Sequence, residues 1–112
     1  MKIEIIRDIV RKNGYHLTTH AYLEALKDGI SAENIEYAIF HGKIIELYVE
    51  REYEGIESCL IYARLTTNIP VHVVIDLIAS ESVVVVTVYV PDRGQWIASR
   101  VRKKRRKGRK KK

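Results

Sequence analysis

The carboxy-terminal half of the chain alternates so strictly that it has few choices of fold. Val71, Val73, Ile75 and Leu77 are interleaved with His72 and Asp76. The run Val83–Val90 is almost wholly aliphatic, broken only by Thr87 and Tyr89. In a strand, side chains two apart share a face. Val71, Val73, Ile75 and Leu77 are therefore expected on one face, together with Val84, Val86, Val88 and Val90. His72, Asp76, Thr87 and Tyr89 are expected on the other. A slip of one residue would expose the aliphatic set, so that set fixes the register.

Two further strands precede this pair. Lys43–Glu50 places Ile45, Leu47 and Val49 on one side and Glu46, Tyr48 and Glu50 on the other. Glu57–Thr66 places Cys59, Ile61, Ala63 and Leu65 on the apolar side, opposite Ser58, Tyr62, Arg64 and Thr66, with Leu60 as the exception. Thr67-Asn68 and Ser80-Glu81-Ser82 read as turns, and Pro70 suits a strand start. Before Gly42 the period changes. Ile3, Ile6, Ile9 and Val10 predict a helix over residues 2–12, stopped by Asn13-Gly14. Tyr15–Leu17 reads as a short extended connector. Thr18 or Thr19 caps a second helix, whose expected apolar side is Tyr22, Leu23 and Leu26, and Gly29 ends it. Ser31 caps a third, carrying Ile35, Ala38 and Ile39 and closed by His41-Gly42. The expected fold is α+β, with three helices on one face of a four-stranded antiparallel sheet.

The formal charge of +6 hides a division. Of the 20 Lys and Arg residues, 11 lie in residues 100–112, which hold none of the 14 acids. Residues 1–99 are left with 9 bases against 14 acids, a net charge of −5. Residues 1–99 are therefore expected to form a single domain. Residues 100–112 are expected to be a disordered basic tail, because like charges at that density cannot pack. Such an arm binds polyanions through counterion release; the alternative is a solvated tail or one folded back on the acidic body. A single cysteine, Cys59, excludes an intrachain disulfide and suits a reducing compartment. Charges interrupt Met1–Val10, and no apolar run approaches the roughly 20 residues that span a bilayer. A cytoplasmic location without membrane contact is expected.

The polar sheet face is the chemical candidate. His72 can serve as a general acid or base near neutral pH. Arg64 offers a phosphate-binding fork, and Tyr62 and Tyr89 offer stacking planes for unpaired bases. In the basic run, Arg102, Lys103, Arg105 and Arg106 are candidate RNA contacts. His20, in the first turn of the second helix, is favoured as neutral imidazole by the helix dipole and so as a base. The plainer alternative is an amphipathic face that meets solvent or a partner. No paired-cysteine, His-Glu-x-x-His, calcium-loop or phosphate-loop motif is present, so neither metal nor cofactor is expected.

In order, Thr18-x-His20-Ala21, Gly29-Ile30-Ser31, Gly42-Lys43-Ile44-Ile45-Glu46, His72-Val-Val, Thr87-Val-Tyr89, Pro91-Asp92 and Trp96 resemble the family catalogued as domain of unknown function 4258. The resemblance covers roughly residues 16–96. It implies an architecture similar to RelE-like ribonuclease toxins, and hence a metal-independent endoribonuclease acting by 2′-hydroxyl attack on RNA, ribosome-bound RNA included, and paired with an antitoxin. It also implies His20, His72, Thr87 and Tyr89 as catalytic positions. Many members carry arginine four and eight residues after the helix histidine, where this chain has Glu24 and Asp28. That departure favours the alternative of a non-catalytic RNA-, ribosome- or protein-binding module of the same fold. Oligomeric state is not legible.

Overall fold

The computed structural model describes residues 1–92 and 96–102. Three helices, α1 (Ile3–Asn13), α2 (Thr19–Asp28) and α3 (Ala32–His41), cover one face of a five-stranded mixed sheet. The strands are β1 (His16–Leu17), β2 (Lys43–Tyr48), β3 (Ile56–Arg64), β4 (Pro70–Ile78) and β5 (Ser82–Tyr89), in the order β1-β5-β4-β3-β2. A separate hairpin, β6 (Trp96–Ile97) and β7 (Val101–Arg102), follows.

The α+β class and the three-helix layer agree with the sequence, but the four-stranded antiparallel sheet is corrected. The connector between α1 and α2 pairs in parallel with β5, His16 opposite Val84 and Leu17 opposite Val85. Two residues are too few to show an alternation, so the fifth strand left no trace in the pattern. Thr18, not Thr19, then caps α2. Its hydroxyl accepts from the Ala21 amide at 3.0 Å and donates to the Val86 carbonyl at 3.4 Å, tying the helix start to β5. Ser31 and Asn34 form a reciprocal capping box on α3.

Two bulges re-aim the alternation. In β5 the register shifts between Val74 and Ile75 of β4, so that Ile75 faces Val85 while Val73 faces Val88. Val83, Val85 and Val88 join the helix-side core. Val84 and Val86, expected there, do not. An extra residue flips the phase of everything on one side of it. Beyond the bulge the expectation holds: Thr87 and Tyr89 pair with Val74 and His72 on the face away from the helices. The second bulge lies between Ile44 and Glu46 of β2. It puts Ile44 opposite Ile61 in the core and Lys43 opposite Tyr62 on the other face.

The expected apolar side of α2 is also corrected. Tyr22, Leu23 and Leu26 are exposed, and the helix buries Ala21 and Ala25 instead. Small residues let its backbone lie close along β5. There Glu24 Oε1 accepts from the Val88 amide at 3.1 Å and Asp28 Oδ2 from the Val90 amide at 2.9 Å. These carboxylates satisfy edge amides that no strand pairs.

α3 is fastened at its end. The Arg7 guanidinium donates to the carbonyls of Ile39 and Gly42, both at 2.8 Å, where the helix leaves carbonyls unpaired and its dipole favours a cation. Gly42 must be small there, since a Cβ would lie 2.5 Å from the Ala38 carbonyl and 2.6 Å from that of Tyr62. Gly42→Ala is expected to cost about 1–3 kcal/mol by overpacking, read as a lower urea midpoint. An unchanged midpoint would show that α3 and β3 separate without penalty.

Candidate functional site

β4 is the central strand and is buried on both faces. Its helix-side residues Val71, Val73, Ile75 and Leu77 lie in the core. Its other face presents His72, at 0% exposure, and Asp76, at 6%. The expectation of an open polar surface is corrected, because residues 98–102 fold back over it.

Among the described residues, three contacts hold the cover. His72 Nε2 lies 2.6 Å from the Ser99 carbonyl. A carbonyl only accepts, so Nε2 carries the proton. Nδ1 is then the acceptor for the Tyr89 hydroxyl at 3.2 Å. Burial lowers the His72 pKa below its ordinary 6.5, opposed in part by the Ser99 hydrogen bond and by Glu46. His72 is therefore a neutral imidazole with both nitrogens engaged. The second is Arg102, whose Nη2 and Nε donate to the Glu46 carboxylate at 3.1 and 3.3 Å. Glu46 also accepts from the Tyr48 hydroxyl at 2.6 Å. Desolvation would raise the Glu46 pKa, but Arg102 and Tyr48 bring it below the ordinary value. The third is Arg100, whose guanidinium carbon sits 5.3 Å from the centre of the Tyr62 ring. Ala98 and Ser99, at the tip of the hairpin, both take positive φ, 51° and 65°. Two successive positions at positive φ suit glycine or asparagine better. Here the His72 hydrogen bond helps hold the tip.

A separate cluster occupies the far end of the face. Asp76 accepts from the Ser58 hydroxyl at 2.7 Å and from Arg51 at 3.2 Å, a paired buried carboxylate. The acidic turn around Glu50, Glu52 and Glu54 is exposed beside it.

The expected site residues divide accordingly. His72, Tyr89, Tyr62 and Arg102 come together, with Thr87 on the same face one paired position beyond Tyr89. Arg64 lies at the margin, exposed, with Nη1 bonded to the Asn68 carbonyl at 2.9 Å. His20 does not join them. It stands in the helical layer with its side chain 66% exposed, Nε2 3.3 Å from Glu24. The acid–base pair of His20 and His72 is thus not assembled. Glu24 and Asp28 serve the β5 edge, and so are not vacant phosphate sites turned repulsive. The described chain continues in order past residue 99, through Val101–Arg102. The contacts expected from Lys103, Arg105 and Arg106, like the rest of the basic run, lie outside the described residues. Sequence reasoning missed the Ser99 carbonyl, Arg100 and Lys43. Nothing marks a main-chain acceptor in a sequence, and Lys43 reaches this face only through a bulge. Among the described residues no group of three or more His, Cys, Asp or Glu could hold a metal, and no helix is long and apolar enough to cross a membrane.

Residues 17–90 match the family described as domain of unknown function (DUF4258). The chain belongs to that family. The matched span of this DUF4258 member runs from β1 to just past β5, so it holds His20, His72 and Tyr89 but not the hairpin that closes over His72. No curated protein and no solved structure matches the chain.

A lowered histidine pKa has a definite sign. Between the ordinary value of 6.5 and the lower folded value, the unfolded chain binds the proton more readily, so stability falls as the pH falls. The Glu46 contribution is lost only below that carboxylate's ordinary 4.5, which separates the two windows. His72→Gln retains a donor for Ser99 without titrating. Chemical denaturation at a series of pH values should show a wild-type decline beginning below 6.5 that is flattened in His72→Gln. Parallel curves for the two proteins would refute the neutral, buried imidazole.

Proposed function

We propose that this DUF4258 protein binds RNA as a non-catalytic module. The observation that carries the choice is the closure of His72. The one acid–base candidate on the sheet face is wholly buried, its two nitrogens engaged by Tyr89 and Ser99. General acid–base chemistry needs a group within hydrogen-bond reach of the substrate. RNA is favoured by the 11 bases of residues 100–112, which give strong, sequence-independent phosphate affinity. The ribosome is a partner of the same chemistry. A cytoplasmic location is part of the proposal, and the buried thiol Cys59 is compatible with it.

One observation favours a second reading, a RelE-like, toxin-type endoribonuclease held by an antitoxin. A neutral imidazole hydrogen-bonded to a tyrosine is a competent base for a 2′-hydroxyl once the hairpin lifts. Tyr89, its own pKa raised by burial, would keep its proton.

The full chain should bind single-stranded RNA with a steep salt dependence and leave it uncut, with or without EDTA. Deleting residues 103–112 should weaken binding strongly at low salt and flatten the salt slope. The melting temperature should hold, because Arg100 and Arg102 remain. Metal-independent cleavage that falls on the order of 100-fold in His72→Ala would establish the second reading instead. Unchanged affinity and slope in the truncated chain would remove the tail from RNA binding.

A further inference from the structure

The end of the polar face nearest the start of β2 gathers cations around one phenol. Tyr62 is 5% exposed, and its buried hydroxyl has no hydrogen-bond partner among the described residues. The neighbouring Arg100 and Arg64 can only donate to it, so its own O–H still lacks an acceptor, which an anionic oxygen would supply. Three basic side chains surround the phenol. Lys43 is its directly paired neighbour across β2 and β3, a position that brings Cβ atoms about 5 Å apart. Arg64 lies two residues along on the same strand face and commits Nη1 to Asn68. Arg100 rests on the ring. Desolvation would raise the Tyr62 pKa, yet Arg100 and Arg64 together bring it below the ordinary phenol value. The carboxylates elsewhere on this face are already occupied, Glu46 by Arg102 and Tyr48, and Asp76 by Ser58 and Arg51.

We propose that Lys43, Tyr62, Arg64 and Arg100 form a seat for one phosphodiester of a single-stranded RNA. The Tyr62 hydroxyl donates to one non-bridging oxygen, and the two guanidiniums share the second. Lys43 adds charge from the side. Arg100 is exposed and swings outward from the ring to admit the phosphate. The seat lies at the root of the basic run, since Arg100 is followed within a few residues by Lys103, Lys104, Arg105 and Arg106. A strand captured by that run is thus led to a fixed point on the folded body. This inference deepens the RNA-binding reading and rests on it.

The test is fluorescence anisotropy with a short oligouridylate across a salt series, using the full chain. Each phosphate contact on a single strand contributes about 0.7 to the salt slope. Arg64→Gln/Arg100→Gln should therefore weaken low-salt binding roughly 10-fold or more and reduce the slope by about one contact. Arg64→Lys/Arg100→Lys should restore most of the slope. Tyr62→Phe should weaken binding without changing the slope, because it removes a neutral donor. In the wild type, RNA should also raise the pH at which Tyr62 ionises, followed as the phenolate absorbance missing from Tyr62→Phe. Normal RNA binding with an unchanged slope in the glutamine variant overturns the seat and leaves the RNA reading standing. A wild type that does not bind RNA overturns both.

Discussion

A strand buried on both faces must be covered twice, and β4 is covered by two different kinds of contact. On the helix side the cover is apolar: Val71, Val73, Ile75 and Leu77 meet residues of α1, α2 and α3 in one core cluster. On the other side it is polar, and polar groups tolerate burial only when paired. His72 is the test of that rule. Its ring could not sit at 0% exposure with a nitrogen left unpaired; Tyr89 of β5 supplies the donor and the hairpin after β5 supplies the acceptor. The hairpin depends on the histidine in turn, because two non-glycine residues at positive φ form its tip.

The same arrangement separates the two chemistries that a polar sheet face suggests. Around His72 the groups are satisfied and screened. Arg102 and Glu46 form a two-bonded ion pair, and charge-assisted contacts of that kind are among the stronger ones in a protein. Around Tyr62 the balance is different, with cations in excess and a hydroxyl unpaired among the described residues. One end of the face is closed by paired groups, while the other carries an excess of positive charge. The binding role proposed above rests on this asymmetry.

α2 shows how the surroundings of a charged residue decide what it does. Glu24 and Asp28 lie four and eight residues after His20, and as isolated residues they read as repulsive to phosphate. In the fold they accept from the amides of Val88 and Val90, beyond the point where β1 stops pairing with β5. The carboxylates are part of how this sheet ends its edge. Their cost to anion binding is smaller than their charge suggests, because each is turned to the main chain.

The sequence by itself determined the helical layer, the cap at Ser31, the antiparallel order from β2 to β5, and the shared face of His72, Tyr62, Thr87 and Tyr89. Each of these follows from a local period or a local hydrogen bond. Tertiary structure alone decided the rest. The parallel strand β1 is two residues long and has no period to read. The bulges in β2 and β5 shift phase by one residue, and only the partner strand reveals which side of the shift a residue occupies; that placed Lys43 beside Tyr62 and moved Val86 out of the core. The burial of His72 depends on a carbonyl 27 residues away, and main-chain acceptors are identical at every position. A face can be read from alternation, but what lies on top of it cannot, since the cover is set by contacts distant in sequence.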